Sequence, residues 1–130
     1  MVGGQVRVLY VDDEPSLCRA FARMFGSDQS VRVATMTSSV EAAMLIENEP
    51  FDVIVSDLRM PFMDGIELLT AARDKRPDAR RLLISGFADL DTALNAINLV
   101  GVDRLLTKPW NTYELMGAVR AAAEHAAAGV

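Results

Sequence analysis

Short apolar runs alternate with amphipathic segments along the whole chain. Five of these runs have the length and composition of buried strands, and they cover residues 6–11, 31–34, 51–56, 81–85 and 105–107. Between the runs, apolar residues recur every three or four positions, as in helices that bury one face. Strands and helices that alternate with short loops predict an α/β domain in which a parallel sheet has helices on both faces.

Local signals place several helix starts. Pro15 suits the first turn of the first helix. Ser38 with Glu41, and Asp64 with Glu67, have the spacing of a capping box at the starts of the second and third helices. These positions agree with the helices that the apolar periodicity indicates.

The composition is that of one globular domain. The chain has 130 residues, 51% of them hydrophobic and 24% charged, which is enough for a single core. We expect structure over about residues 5–125. The Ala-rich stretch 121–130 is either the free tip of the last helix or the start of a linker to a further domain.

Several function classes are disfavoured by what the chain lacks. A net charge of −5 leaves no electrostatic footprint for nucleic acid or a membrane surface. The apolar runs are too short for a bilayer and no signal peptide is apparent, so a cytoplasmic location is the default expectation. Cys18, the only cysteine, lies among Leu17, Phe21 and Phe25 and is expected to pack. The only histidine, His125, is far from the other candidates, and no Gly-rich phosphate loop is present.

Polar residues gather where the predicted strands end. Asp12 and Asp13 follow the first strand, Asp57 the third, and Lys108 the fifth, while Ser85 ends the fourth. The carboxyl ends of parallel strands share one crevice. Two carboxylates ~4 Å apart repel by about 4 kcal/mol at an effective dielectric near 20, so the group needs a cation or a proton. Oxygen ligands with open positions suit Mg2+, which readily shares its coordination with a phosphate.

Each of these residues also has an ordinary structural explanation. A helix N-terminus and a metal site explain Asp12 and Asp13 equally well when they are considered alone. Lys108 is either a surface lysine or a cation for a phosphoryl oxygen, and the Lys108–Pro109 peptide is a candidate for the cis form. Trp110 is expected to pack at the start of the last helix rather than to recognise a partner.

Four segments together resemble the receiver domain of bacterial two-component response regulators. They are VDDE at 11–14, DLRMPFMDG at 57–65, ISG at 84–86 and TKP at 107–109. Any one match is weak, whereas all four in this order at the strand ends are specific. The resemblance covers nearly the whole chain. It implies a flavodoxin-like, doubly wound sheet of five parallel strands in the order 2-1-3-4-5.

The resemblance also implies roles for the residues at the strand ends. Asp57 would be the phosphoacceptor, taking a phosphoryl group from a sensor histidine kinase or a phosphotransfer protein. Lys108 and Ser85 would bind the other phosphoryl oxygens. The domain would catalyse only its own phosphorylation and dephosphorylation at Asp57.

A Mg2+ site follows from the same resemblance. Asp13 and Asp57 would ligate the ion together with the backbone carbonyl of Arg59. Asp12 would act largely through a water on the metal.

Signal output is the part of the pattern in which this chain departs from the family. The resemblance implies a switch on the surface of the fourth helix, fifth strand and fifth helix, which would serve an output domain, a partner protein or a homodimer. Leu105 stands where the family usually carries a Tyr or Phe, so an aromatic flip cannot occur. Arg59 and Phe87 lie where the family tunes dephosphorylation, and we hypothesise that Phe87 hinders the attacking water.

Two alternatives come from other function classes. One is a receiver-like interaction module that needs no phosphorylation, against which the complete acidic cluster argues. The other is a metal-dependent phosphohydrolase, which would need an Asp two residues after the nucleophile, where this chain has Arg59.

Overall fold

The computed structural model describes residues 4–127 and contains one parallel sheet. The strands are β1 (Val6–Val11), β2 (Val31–Met36), β3 (Val53–Asp57), β4 (Arg80–Ser85) and β5 (Arg104–Thr107). All neighbouring strands pair in parallel, in the order β2-β1-β3-β4-β5. The expected fold class and strand order are therefore confirmed.

Within residues 4–127, five α-helices connect and follow the strands. They are α1 (Pro15–Met24), α2 (Ser39–Asn48), α3 (Gly65–Lys75), α4 (Leu90–Val100) and α5 (Thr112–Ala127). Asp64 and Glu67 form a complete capping box at α3, and the Ser38 hydroxyl accepts a hydrogen bond from the Glu41 N–H at α2. A short 3-10 turn before α4, at Phe87–Asp89, was not predicted.

Several boundaries differ from those that the apolar runs predict, and β4 and β5 each begin one residue earlier, at Arg80 and Arg104. β2 continues to Met36 because Thr35 and Met36 pair with the last two residues of β1. β3 begins two residues later than predicted and includes Asp57 itself. Helix α5 continues past residue 121 to Ala127, whereas residues 128–130 of the predicted linker lie outside the described residues. The role of residues 121–130 as the start of a linker stays a prediction.

The sheet separates two hydrophobic layers. Leu9 and Ile54 face α2, α3 and α4, and the next residues, Tyr10 and Val55, face α1 and α5. This alternation follows from the period of two along a strand, and it buries both faces of β1, β3 and β4. A sheet buried on both faces keeps its strand ends in fixed relative positions. Across residues 4–127, no helix combines the length and apolar character that crossing a membrane requires.

Candidate acidic site at the carboxyl ends of the strands

Three carboxylates converge at the carboxyl ends of β1 and β3. One oxygen from each of Asp12, Asp13 and Asp57 lies within 4.8 Å of the others. Asp12 is fully buried and Asp57 is 6% exposed, whereas Asp13 faces solvent. The structure therefore brings together the three acids that the sequence placed at one edge of the sheet. Their geometry is that of a site open on one side.

Lys108 supplies the positive charge of this site. Its Nζ lies 3.2 Å from Asp12 Oδ2 and 3.2 Å from Asp57 Oδ1. Burial lowers the pKa of Lys108, but the charges of Asp57 and Asp12 outweigh it and raise the pKa above its usual value. The lysine backbone is held as well, because its N–H donates to the carbonyl of Ser85 at 2.9 Å and the Lys108–Pro109 peptide is cis.

The electrostatics of Asp57 favour the arrival of a cation. Burial and then the neighbouring charge of Asp12 raise the pKa of Asp57 to about 6, and Lys108 offsets this only in part. Three acids thus share one ammonium group. The ionised form of Asp57 is therefore electrostatically destabilised at neutral pH. Clustered carboxylate oxygens with an open side fit the preferences of Mg2+.

Asp12 is held by donors on two sides. Tyr10 OH donates to its Oδ2 at 2.9 Å, and the backbone N–H of Glu14 donates to its Oδ1 at 3.0 Å. Asp12 is not the cap of α1, because the residue at that position is Glu14 and its side chain makes no capping bond. The structure therefore excludes the helix-cap explanation for Asp12 and leaves the metal-site explanation.

Tyr10 is the site residue that sequence reasoning missed. Positions 10 and 12 lie on the same face of an extended strand, and this period is a signal that could have found it. Burial and then the charge of Asp12 raise the pKa of the Tyr10 hydroxyl, so it keeps its proton at neutral pH and donates it to Asp12.

A close approach of backbones fixes the loop beside Asp57. The N–H of Gly65 donates to the carbonyl of Leu58 at 2.8 Å, and a Cβ at Gly65 would lie 2.2 Å from the carbonyl oxygen of Asp57. Only glycine fits there, which seats the start of α3 against the end of β3. Phe62, in the same loop, is 98% exposed and has a φ of 70°.

The remaining predicted site residues lie in β4, in β5 and in the loops that follow β3 and β4. Ser85 is buried at the end of β4, and its hydroxyl donates to the carbonyl of Gly86 at 2.9 Å. The Arg59 guanidinium forms a 2.7 Å ion pair with Asp89 that links the loops after β3 and β4. Phe87 is 73% exposed, and Leu105 packs partly buried against the layer under α4.

Cys18 and His125, to which the sequence assigned no role in the site, are not part of the acidic cluster. Cys18 is buried in α1, where its thiol donates to the backbone carbonyl of Asp12 at 3.3 Å and burial raises its pKa. His125 is exposed on α5 in a groove that includes Arg80 and Asp103, near the amino ends of β4 and β5.

The fold and the acidic site together define a class of signalling domain. The profile of the response regulator receiver domain matches residues 8–120, and the chain belongs to this family. The resemblance on which the site roles depend is thereby confirmed at the level of the family.

Relatives and solved structures agree with this assignment. The hydrogenase transcriptional regulatory protein HoxA of Cupriavidus necator is 37% identical over 92% of the chain, which covers 24% of that relative. The chain thus spans about a quarter of the length of the first curated relatives it matches. A structure described as adenylate cyclase from Rhodopirellula baltica is 36% identical, with a TM-score of 0.87 over 94% of this chain and 90% of that one. The signal receiver domain of an HD domain-containing protein from Pseudomonas fluorescens is 28% identical, with a TM-score of 0.89 over 99% and 94%.

Proposed function

We propose that this receiver domain accepts a phosphoryl group on Asp57 from a sensor histidine kinase or a phosphotransfer protein, with Mg2+ as cofactor. The observation that carries the proposal is the position of Asp57. Its buried carboxylate lies within 4.8 Å of two further carboxylates and 3.2 Å from one ammonium group. This arrangement offers a nucleophile, metal ligands and a counter-charge for a transferred phosphoryl group.

The proposed reaction exchanges one bond for another. A carboxylate oxygen of Asp57 attacks the phosphorus of a phosphohistidine, a P–O bond forms, and the P–N bond breaks as the imidazole nitrogen leaves with its electron pair. Lys108, now 3.2 Å from Asp57 Oδ1, is placed to pair with a phosphoryl oxygen after transfer. The Ser85 hydroxyl would exchange its bond to Gly86 for a second phosphoryl oxygen.

The carboxylates of the acidic cluster and one backbone carbonyl would hold the metal. Asp13 and Asp57 would ligate Mg2+ with the backbone carbonyl of Arg59, and Asp12 would contribute its charge from the buried side. When bound, the ion neutralises the carboxylates and the incoming phosphoryl oxygens.

The output would use the surface of α4, β5 and α5. Movement of Ser85 toward the phosphoryl group would pull the loop before α4, and Leu105 would take part only through packing because it has no aromatic ring to flip. Longer relatives that are named transcriptional regulators support an output domain or partner protein for this surface. The proposal includes homodimerisation through the same surface and a cytoplasmic location.

The test is phosphorylation of the purified chain. Acetyl phosphate with MgCl2 should add one phosphoryl group, detected by intact mass, and EDTA or Asp57→Asn should abolish the addition. Beryllofluoride should produce a stable complex under the same conditions. Absence of any adduct on a folded protein would favour a phosphorylation-independent interaction module, and rapid multiple turnover of phosphate would favour a phosphohydrolase.

A further inference from the structure

A chain of hydrogen bonds connects the acidic site to the only tryptophan of the chain. Trp110 Nε1 lies 3.3 Å from Tyr10 OH, and Tyr10 OH lies 2.9 Å from Asp12 Oδ2. Trp110 and Tyr10 are 100 positions apart and meet because the segment after β5 passes the end of β1. The three groups form a continuous path from a half-buried indole to a fully buried carboxylate.

The chemistry of the three groups determines which of them donates each hydrogen bond. The indole N–H of Trp110 can only donate, and an ionised Asp12 can only accept. The Tyr10 oxygen must therefore accept from Trp110 and give its single proton to Asp12. A tyrosine hydroxyl alone could rotate its proton away, but the donor on its other side removes that freedom.

The rings that carry these groups are held in place. Tyr10 has no exposed surface and stacks on Phe21, with ring centroids 4.3 Å apart and planes 12° apart. Trp110 packs against the same hydrophobic layer and borders a groove that also includes Glu14 and Lys108. Because both rings are packed, the Tyr10 hydroxyl donates to Asp12 Oδ2 from a fixed position.

Asp12 Oδ2 has a competing partner in Lys108. The ammonium lies 3.2 Å from this oxygen, close to the distance of the tyrosine hydroxyl. Without the hydroxyl, the buried Oδ2 would turn to Lys108 and form a closer ion pair. A closer pair would have to be broken before Asp12 could contribute its charge to a metal ion.

We propose that Tyr10, braced by Trp110, is a positioning residue for the metal site, holding the Asp12 carboxylate so that it stays available to Mg2+ and does not close on Lys108. The inference rests on the proposed function, because it concerns the same metal site. It adds a role for two residues outside the acidic cluster.

The test is a double-mutant cycle read by calorimetric titration of the metal-free chain with MgCl2. Tyr10→Phe keeps the ring and removes the hydroxyl, and it should weaken Mg2+ binding by about tenfold, the scale of one hydrogen bond to a charged group. Trp110→Phe keeps an aromatic ring and removes the indole donor, and it should weaken binding by about two- to threefold. In the Tyr10→Phe background, Trp110→Phe should have no further effect, since its path to Asp12 is already broken.

Matched controls separate positioning from packing. Tyr113→Phe makes the same change at the other tyrosine, which is 87% exposed on α5, and it should bind Mg2+ as the wild type does. Circular dichroism establishes that each variant is folded at the temperature of the titration. If Tyr10→Phe does not fold, Trp110→Phe decides the question, because unchanged Mg2+ affinity in that variant would overturn the bracing role.

The outcomes distinguish this inference from the function on which it rests. Wild-type protein that binds Mg2+ with the same affinity as Tyr10→Phe would overturn the role of Tyr10 and leave the proposed function intact. Additive losses in the double variant would show that Trp110 does not act through Tyr10. Wild-type protein that binds no Mg2+ would overturn both proposals.

Discussion

Asp57→Asn should stabilise the metal-free domain at neutral pH, and the gain should disappear in acid. Burial and the charge of Asp12 raise the pKa of Asp57 from 3.8 to about 6. Between these two values the folded protein holds a proton that the unfolded chain has lost. The free energy of unfolding therefore falls as the pH rises through this window, and the full penalty applies above the folded pKa.

The size of the effect follows from the two pKa values. The difference between 3.8 and about 6, at about 1.4 kcal/mol per pKa unit, corresponds to a penalty of about 3 kcal/mol at pH 7. The attraction of Lys108 is already contained in this value, because it lowers the pKa of the same carboxyl. For a chain of this length, 3 kcal/mol corresponds to an increase in the melting temperature of roughly 10 °C.

Urea unfolding in the presence of EDTA measures the effect. Wild type and Asp57→Asn should differ by about 3 kcal/mol near pH 7 and by only about 0.5 kcal/mol near pH 4. Asp78→Asn removes an exposed acid from the turn before β4 and serves as the control for the loss of one charge. A gain of equal size at both pH values, or none at pH 7, would refute the electrostatic explanation. Added MgCl2 should stabilise the wild type more than Asp57→Asn, because the ion relieves the same stress.

Three further predictions concern the loops around the site. Gly65→Ala should destabilise the fold by about 3 kcal/mol in urea unfolding, because its Cβ would lie 2.2 Å from a backbone oxygen. The control is Gly117→Ala, in an open position on α5, which should be neutral or stabilising. Equal effects of the two substitutions would contradict the close approach at Gly65. Arg59→Ala and Asp89→Ala should leave the urea midpoint nearly unchanged, because their ion pair is exposed, yet both should shorten the half-life of the phosphorylated form by freeing the loops that the pair links. Opposite effects of these two variants on the half-life would exclude that link. Phe87→Ser should also shorten the half-life, measured by loss of phosphoryl mass over time, since the exposed ring no longer hinders water; an unchanged half-life would remove the hypothesis.

The sequence predicts the fold well because its elements depend on local patterns. The run at 6–11 is a strand in the structure with the same bounds, and the Asp64–Glu67 capping box forms both of its expected bonds. Parallel strands end at one edge of a sheet, so residues that follow them meet there. That rule was enough to bring Asp12, Asp57 and Lys108 to one place without coordinates.

The tertiary structure decided what depends on contacts between distant residues. The Tyr10–Trp110 bond spans 100 positions and the Arg59–Asp89 pair spans 30, and no local period signals either of them. The same holds for electrostatics, because the raised pKa of Asp57 comes from its depth in the fold and from the charge of Asp12, which follows a different strand. The sequence by itself therefore determined which elements form and which charged residues share an edge, since periodicity and strand direction are local properties. Only the packed structure decided how each carboxylate is held, because distances, burial and hydrogen-bond partners arise when remote segments meet.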